Sequence, residues 1–446
     1  MSAAQFKKEM KRLGILLALI LFVNLSANGN SPLSVKTTEY KLKNGLHVII
    51  YQDNTSPIVN VGVMYHVGSK NEKPERTGFA HLFEHLLFNG TKNIPEGELE
   101  NLMRGAGGYS NASTSADRTY YYTILPSNQL RLGLWIESER MLHPIISQKV
   151  IDREKEVVKE ESRQRFDSNP LGRVPEKMQA FEYKQYPYKW HVIGSMEHLD
   201  AASLEDFQDF FNKFYVPNNA TLVITGDVDI DDAKRYVNAY FNRISKGKPV
   251  IQPEFNETTF TYEVLKDSIK GIKDPHMVVS YRTVPETDKD AAVLSFVNSH
   301  LTFDADSPLN IVSRDYPSIK KISSTTEMYE KAGSFWFRSS FKDTVQYDYI
   351  LNIIDKVMDD IKLNGIENNR ISQLKMSYES GYTDMFFDMP FLAEMLAISY
   401  LEWGSTQRVN NLIPEYKSIT NSDIKRVVNK YFNPNNRKLL IIYPKK

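Results

Sequence analysis

A short run of sequence occurs twice in the chain, as NKFYVPNNATLVI at positions 212–224 and as NKYFNPNNRKLLI at positions 429–441. In both copies a helical pattern leads through a Pro-Asn-Asn turn into an apolar run that is typical of a β-strand. A weaker echo at nearly the same offset pairs positions 63–65 with positions 279–281. Self-similarity at an offset of 217 residues, which is about half the length of the chain, predicts a duplicated α+β unit.

The length of the chain also favours two domains. With 446 residues it is too long for one ordinary core and suits two domains of roughly 200 residues each. We predict an N-terminal domain at 36–244 and a C-terminal domain at 275–446. The stretch 245–274 between them is polar, carries glycine and proline, and shows little sustained periodicity, so we predict it to be a linker.

The hydrophobic periodicity of the first copy indicates a mixture of strands and helices. It predicts strands at 46–51 and 60–66, two strands within 109–124, and helices at 77–88 and 148–165. Strands and helices that alternate irregularly, with short connections, favour antiparallel sheets over a doubly wound parallel sheet. The predicted fold class is therefore α+β, with two duplicated domains of antiparallel β-sheet covered by helices.

Composition and charge narrow the possible functions. The 55 basic residues balance the 55 acidic ones, and 41% of the residues are hydrophobic. A binder of nucleic acid or of an acidic membrane normally carries a basic excess, so zero net charge argues against both.

The N-terminus reads as a separate element. Basic residues precede the apolar run 13–23, which is too short to span a bilayer comfortably, and residues 25–27 offer a cleavage site. We interpret residues 1–27 as a signal peptide and expect an exported protein, in a bacterial periplasm, with no membrane span after removal of the signal. An uncleaved anchor is the alternative. The chain contains no cysteine, so it cannot be lipidated on a cysteine and cannot form a disulfide.

The segment GFAHLFEHLLF at 78–88 carries the strongest chemical signal. On a helix His81, Glu84 and His85 share one face, which makes a polar stripe through an apolar element. Two imidazoles and a carboxylate are costly to bury without partners. A zinc ion would remove that cost, because neutral histidines bind it while a nearby carboxylate takes a proton from its water. His-x-x-Glu-His is the inverted zincin motif.

A catalytic zinc usually has three protein ligands, and the predicted helix at 148–165 offers candidates for the third. The stripe that we predict to point inward consists of Glu154, Val157, Val158 and Glu161. Glu156 and Glu160 point elsewhere at about 100° per residue. Periodicity thus selects Glu154 and Glu161 over their acidic neighbours.

These residues resemble the pitrilysin family of zinc peptidases, in its half-length branch of the mitochondrial-processing-peptidase type. Members carry the inverted motif near the N-terminus and a ligand glutamate inside a later Glu-x6-Glu helix. Here 75 residues separate His85 from Glu161, and Glu154 is the earlier glutamate of the pair. Further matching runs are 88–91, 111–112, 119–121, 193–195 and 215–219. Motif, spacing and context together are far more specific than the motif alone.

The resemblance implies a site and an activity. His81, His85 and Glu161 would hold Zn²⁺, Glu84 would activate water, and Glu154 would orient a ligand or add negative potential. The activity would be that of a zinc metalloendopeptidase acting on extended or unfolded peptides. The competing interpretations are core histidines bonded to backbone, a structural salt bridge for Glu154, and cobalt or manganese as the metal.

The glycine-rich stretch 107–114 is predicted to contact substrate. The resemblance makes it an edge strand in which Asn111 and Ala112 bind an extended peptide through its backbone. An ordinary hairpin edge is the alternative.

The second copy lacks the metal motif, since Val297 and Leu301 stand at the corresponding positions. In active relatives this half supplies an Arg-x6-Tyr pair that helps to hold the substrate. Here Arg314 fills the first position, but Lys321 replaces the tyrosine, and Tyr316 would serve only with a different local backbone.

Half-length members of the family close a chamber by pairing two chains. We therefore expect a homo- or heterodimer with a related subunit, in which this chain brings the metal. Two other functions stay open: a non-catalytic assembly or recognition subunit of the same fold, and a hydrolase acting on a non-peptide substrate. An inward base beside two histidines argues against the first.

Overall fold

Two β-sheets, one in each half of the chain, form the framework of the protein. The structure is a computed structural model that describes residues 34–185, 187–255, 257 and 260–445. The predicted signal peptide, residues 1–27, lies outside the described residues. The strands of the first sheet are β1 (Thr38–Lys41), β2 (His47–Gln52), β3 (Ile58–Tyr65), β4 (Tyr109–Thr114), β5 (Thr119–Pro126) and β6 (Ala220–Gly226). Those of the second sheet are β7 (Glu263–Ile269), β8 (His276–Thr283), β9 (Ile319–Met328), β10 (Gly333–Phe341) and β11 (Arg437–Pro444).

The two sheets have the same topology. The strand order is β1-β2-β6-β3-β5-β4 in the first and β7-β11-β8-β10-β9 in the second. Apart from β1, each strand of the first sheet has a counterpart in the second, which confirms the duplicated α+β fold. One detail of the prediction is wrong: β2 and β6 are parallel, and so are β7 and β11. The strands β6 and β11 enter their sheets after long helical segments, so no hairpin forces them to be antiparallel.

Fifteen α-helices cover these sheets in the described part of the chain. In the first half they are α1 (Phe79–Leu86), α2 (Glu98–Gly105), α3 (Leu130–Leu142), α4 (Gln148–Ser162), α5 (Val174–Glu182), α6 (Met196–Ala201), α7 (Leu204–Phe214) and α8 (Ile230–Phe241). In the second half they are α9 (Ala291–Thr302), α10 (Pro308–Asp315), α11 (Tyr347–Asn364), α12 (Asn368–Met385), α13 (Met389–Trp403), α14 (Gln407–Ser418) and α15 (Asn421–Tyr431). None of them is long and apolar enough to cross a membrane.

The predicted linker is partly wrong. The stretch 245–274 contains β7, which pairs with β11 at the edge of the second sheet. The side chains of β7 are either exposed or only partly buried, and its sequence EVLKDSI is accordingly half polar. An edge strand that buries so little has weak hydrophobic periodicity, and this concealed it in the sequence. The domain bounds 36–244 and 275–446 stay a prediction.

One helix of each half packs against the sheet of the other half. Helix α5 buries Val174, Met178 and Phe181 against Val278, Trp336, Leu440 and Ile442 of the second sheet. Helix α13 of the second half packs in turn against β6, β3 and β5 of the first sheet. The opposite face of each sheet packs on a large core formed by the helices of its own half. Residues 37–446 consequently form one compact unit.

Candidate metal centre and active site

The helix that carries the inverted motif, α1, is fixed at its first turn by close backbone packing. Gly78 precedes the helix with φ of 93°, and a Cβ there would lie 2.7 Å from the carbonyl oxygen of Ile193. The buried carboxylate of Glu72 accepts hydrogen bonds from the N–H groups of Gly78 and Ala80, both at 2.9 Å. It thereby caps a helix end that has no side-chain cap of its own. Burial raises the pKa of Glu72 to about 8, against the effect of these backbone donors.

Aromatic packing sets the rotation of α1. The ring of Phe79 stacks on Phe207 of α7 with centroids 4.3 Å apart, and Phe83 packs against Phe210 at 5.9 Å. On the sheet side, the hydroxyl of Tyr121 donates to the carbonyl of Phe83 at 2.8 Å. Because the phenylalanines point into the core, the polar stripe of α1 faces α4.

The structure brings His81, His85 and Glu161 together. One ligand atom from each lies within 4.8 Å of the other two. The Oε2 atom of Glu161 is 3.5 Å from His81 Nε2 and 3.3 Å from His85 Nε2. It is buried and has no hydrogen-bond partner among the described residues. A carboxylate oxygen that faces two imidazole nitrogens without bonding to either is the arrangement that a shared cation would satisfy.

Local electrostatics favour metal ligation. Burial lowers the pKa of His81 to about 3, and the nearby His85, Arg165 and His191 add to that shift. His81 is therefore neutral at ordinary pH, which is the form that binds a metal. The second oxygen of Glu161 pairs with Arg165 Nη1 at 2.9 Å. This ion pair turns Oε2 toward the histidines.

Glu84 lies on the same face of α1 as the two histidines. Burial raises its pKa, whereas the hydroxyl of Thr114 opposes the shift by donating to Glu84 Oε2 at 2.6 Å. Thr114 is the last residue of β4. The side chain of Glu84 is thus held between the helix and the end of the edge strand.

Glu154 approaches the site from behind His85. Its Oε2 atom is 4.0 Å from His85 Nδ1, and its Oε1 accepts from Arg153 Nε at 3.0 Å. Its side chain is 10% exposed. The separation from His85 Nδ1 is longer than a hydrogen bond, and the role of Glu154 in orienting a ligand stays a prediction.

The inward stripe predicted for α4 is partly wrong. Glu154 and Val158 are buried, but Val157 is 44% exposed. Lys155 is buried instead, with its ammonium group 5.3 Å from the ring centroid of Phe207 and 3.5 Å from the carbonyl of Ala202. A lysine can be buried when its aliphatic chain lies along apolar surface and its ammonium group contacts an aromatic ring and a carbonyl. Hydrophobic periodicity does not predict a buried residue of this kind, because lysine counts as polar.

The predicted substrate residues Asn111 and Ala112 lie next to each other on β4. In the described part of the chain β4 pairs only with β5, so it is an edge strand. Asn111 Oδ1 accepts a hydrogen bond from the N–H of Ala112 at 2.9 Å. Whether they bind substrate stays a prediction.

Among the described residues, no hydrogen bond or ion pair joins Arg314 to the metal site. Arg314 is the last residue but one of α10, its side chain is 60% exposed, and its Nε pairs with Asp315 at 2.9 Å. Lys321 is exposed on β9, and Tyr316 is 40% exposed just after α10. The assignment of Arg314 to substrate binding also stays a prediction.

Three residues of the site were missed in the sequence, namely Glu72, Thr114 and Arg165. Arg165 lies four residues after Glu161, a spacing that could have indicated it. Glu72 bonds to the backbone of Gly78, six residues away in sequence, and Thr114 bonds to Glu84, thirty residues away. No periodicity in the sequence predicts either contact.

The donor set fits zinc. Two imidazole nitrogens and one carboxylate oxygen, with an adjacent carboxylate left over as a base, match a catalytic zinc site with an open position. The fold and this donor set are those expected of a metallohydrolase of the inverted-zincin type.

Comparison with known proteins agrees with that class. Residues 47–195 match the family model "Insulinase (Peptidase family M16)", and residues 201–378 match "Peptidase M16 inactive domain". The chain belongs to peptidase family M16, which confirms the resemblance to the pitrilysin peptidases. The metal site lies within the first matched segment.

Three similar proteins illustrate the relationship. The zinc protease PqqE of Helicobacter pylori is 26% identical over 98% of this chain and 99% of its own length. The crystal structure of a protease from Helicobacter pylori has a TM-score of 0.85 and 24% identity, covering 92% of this chain and 100% of that one. The periplasmic protease PqqL from Escherichia coli has a TM-score of 0.73 and 20% identity, covering 92% of this chain but 48% of that one. The cofactor of these zinc proteases is Zn²⁺.

Proposed function

We propose that this protein is a zinc-dependent endopeptidase in which His81, His85 and Glu161 bind the metal and Glu84 is the general base. The observation that carries the proposal is the meeting of three ligand atoms within 4.8 Å, beside the carboxylate of Glu84, which lies on the same helix face as the two histidines. The match to family M16 and the relatives named zinc proteases support it.

Glu84 performs the proton transfers in this proposal. When bound, zinc polarises the scissile carbonyl and lowers the pKa of the attacking water. Glu84 accepts the proton of that water and returns it to the amide nitrogen of the leaving group. Because burial raises the pKa of Glu84, it is a stronger base than a solvated glutamate. The Thr114 hydroxyl keeps its carboxylate in place throughout.

The substrate is an extended or unfolded peptide that pairs with β4. Strand addition supplies backbone hydrogen bonds that do not depend on side chains, and Asn111 and Ala112 stand in the middle of that edge. The end of β4 reaches Glu84 through Thr114, so a peptide lying along β4 passes the base.

Replacing Glu84 by Gln tests the catalytic assignment. The variant keeps the zinc ligands and loses the base, so we expect full metal content and a loss of at least about two orders of magnitude in peptide cleavage. Metal analysis and a fluorogenic peptide assay measure both. Glu160→Gln, an exposed change on α4, is the control. A Glu84→Gln protein that cleaves at the wild-type rate would falsify the assignment.

We further propose that the protein is exported to a periplasm after removal of residues 1–27. The leader pattern supports this, and one structural relative is named periplasmic. N-terminal sequencing of protein from the periplasmic fraction should begin close to residue 28. A mature chain that keeps its first residues contradicts removal of the leader.

The third part of the proposal is a dimeric chamber in which this chain brings the metal. It rests on the resemblance to half-length members of the family and on Lys321, which stands where active relatives have tyrosine. Sedimentation and activity of the chain alone, and then with candidate related subunits, test it. Full cleavage by a homodimer would exclude a division of labour between different subunits.

A further inference from the structure

Equivalent hairpin turns of the two halves contact each other. Strands β4 and β5 of the first sheet correspond in topology to β9 and β10 of the second, and each pair is antiparallel. In the turn 329–332 between β9 and β10, the N–H of Glu330 donates to Asp117 Oδ2 at 3.1 Å, in the turn 115–118 between β4 and β5. The hydroxyl of Tyr188 donates to Asp117 Oδ1 at 2.8 Å and accepts from the N–H of Lys331 at 3.2 Å. The turn of the second half is therefore bonded to the turn of the first.

A buried cluster of charged side chains strengthens this contact. The side chain of Lys70 is 2% exposed, and its ammonium group lies 3.0 Å from Asp117 Oδ1 and donates to Glu330 Oε2. His66 Nε2 lies 2.6 Å from the same glutamate oxygen. Burial alone would raise the pKa of Glu330, but the hydrogen bond of His66 and the charge of Lys70 hold it well below its usual range. Glu330 is thus ionised, and removing its charge leaves the buried Lys70 ammonium group with one acidic partner.

The segment that carries Lys70 is bonded to the β4–β5 turn through its backbone. The N–H of Ser69 donates to the carbonyl of Ser115 at 3.3 Å, and the N–H of Lys70 donates to the carbonyl of Ala116 at 3.0 Å. A Cβ at Gly68 would lie 2.4 Å from both of these carbonyl oxygens, so only glycine allows the two backbones to approach this closely. A displacement of Lys70 consequently displaces the turn as well.

The segment and the turn both lead directly to groups that hold α1. Glu72, two residues after Lys70, caps the helix through the N–H groups of Gly78 and Ala80. Thr114, the residue before the turn, donates its hydroxyl to Glu84 at 2.6 Å. The contacts of Glu330 are therefore made with the two pieces of chain that position the helix and its base.

We propose that Glu330 is a positioning residue for the reaction: by holding the Lys70 ammonium group beside Asp117, it sets the place of the Thr114 hydroxyl against Glu84. This inference rests on the proposed function of Glu84 as the general base. It gives the half without metal ligands a part in the proton transfer, in addition to its packing against the first half.

Kinetics of Glu330→Gln test the inference, because the change removes the charge and keeps the shape. We expect kcat to fall about tenfold, with KM and zinc content within about twofold of wild type, since the ligands and the edge of β4 are retained. In Thr114→Val protein the same change should lower kcat by less than about twofold, because the bond through which it acts is already absent. Asp267→Asn is the control. It removes another ion pair between the halves, that with Lys177 of α5, and should leave kcat unchanged.

Hydrogen exchange gives a readout that does not depend on hydrolysis. The amides of residues 68–72 and 114–118 should exchange faster in Glu330→Gln than in wild type or Asp267→Asn. Tyr188→Phe deletes the hydroxyl that bonds to both turns and should change exchange and kcat in the same direction. It decides the question if circular dichroism shows that Glu330→Gln does not fold.

The outcomes separate this inference from the proposed function. Hydrolysis by wild type with an unchanged kcat in folded Glu330→Gln and Tyr188→Phe overturns the positioning role and leaves the peptidase proposal standing. An equal loss of kcat in the wild-type and Thr114→Val backgrounds also overturns it, and so does a rise in KM alone, because general damage to β4 would produce either. Faster exchange in Glu330→Gln, when wild type hydrolyses no peptide, supports the contact between the turns and overturns the catalytic assignment.

Discussion

Replacing the single residue Glu154 tests whether its carboxylate orients the ligand His85. Its carboxylate is 4.0 Å from His85 Nδ1 and is held by Arg153. Glu154→Gln keeps the shape and removes the charge, so we expect zinc affinity to fall about 10- to 100-fold, as is usual for groups that support a metal ligand. Competition with a chelator measures it. Glu156→Gln on the exposed side of α4 is the matched control and should bind zinc like wild type.

Thr114 supports the base rather than the metal. Its hydroxyl donates to Glu84 at 2.6 Å, and a hydrogen bond to a charged group contributes roughly 1.5–3 kcal/mol. We expect Thr114→Val to lower kcat by at least about tenfold with unchanged zinc content. Thr114→Ser restores the donor and should recover most of the rate. Equal rates for the valine and serine variants would show that the hydroxyl does not act on Glu84.

The residues that the sequence predicted are those whose partners are close in the chain. His81, Glu84 and His85 follow from helical spacing. Glu161 is the exception, because its partners His81 and His85 lie far away in the chain; it was predicted from its side of α4 together with the spacing that the pitrilysin family shows. Thr114 depends on a β-strand meeting a helix thirty residues away, which no local pattern encodes. The prediction that Val157 points inward is wrong for a related reason. The residue of α4 that packs against α7 is Lys155, and its charge is stabilised by the ring of Phe207 and by a backbone carbonyl.

At the scale of elements, Glu182 docks α5 onto the second sheet. The buried carboxylate accepts from Trp336 Nε1 at 2.6 Å, from Ser334 at 3.2 Å and from Ser280. Burial raises its pKa from 4.5 to about 8, against the opposing effects of Arg282, Trp336 and Ser334. The folded state therefore holds the proton more tightly than the unfolded chain, and this group's contribution to stability is lost as the pH rises from about 4.5 to about 8.

Glu182→Gln should remove this pH dependence. A neutral amide keeps an acceptor for Trp336 and has no charge to desolvate. We therefore expect the difference between the Tm of the variant and the Tm of wild type to increase in favour of the variant as the pH rises from 5 to 8. Thermal unfolding at several pH values, with equal zinc loading, measures the difference. Glu176→Gln, a partly exposed change on the same helix, should show no such trend. Parallel Tm curves for Glu182→Gln and wild type would refute the raised pKa.

Elements with two apolar faces or a full helical stripe could be predicted from the sequence, and β7 could not. Strands such as β3 and β6 are buried almost throughout, and their apolar runs are unmistakable. The strand β7 is stabilised mainly by its backbone pairing with β11, because its side chains are largely exposed. Parallel pairing of β2 with β6 likewise depends on the path of the intervening helices rather than on either strand.

At the scale of the whole molecule, the halves are joined by more than the connecting chain. Lys70 is buried with its ammonium group 3.0 Å from Asp117 Oδ1 and in contact with Glu330 of the second half. His66 Nε2 lies 2.6 Å from the same glutamate. Together with the exchanged helices α5 and α13, this buried network makes the position of each half dependent on the other. The metal site is thereby tied to a half that contributes none of its ligands.

A break in the connecting stretch should therefore leave the protein assembled. Residues 250–262 contain no described helix or strand, and Ile251 is 84% exposed. A cut there breaks no helix or strand and costs only local hydrogen bonds, such as those of Gln252 to Asn71 and to the carbonyl of His66. We expect fragments ending at 250 and beginning at 260 to copurify when coexpressed and to bind zinc as a pair.

Either fragment alone should fold poorly, since the first loses α13 from its sheet and the second leaves Val278, Trp336, Leu440 and Ile442 uncovered. Exposed apolar area of this kind favours aggregation and binding of a hydrophobic dye. Affinity copurification, dye fluorescence and zinc titration of each fragment measure the effect. A first fragment that unfolds cooperatively and binds zinc as tightly as the intact chain would show instead that the duplicated halves are independent domains, with the exchanged helices as mere surface contacts.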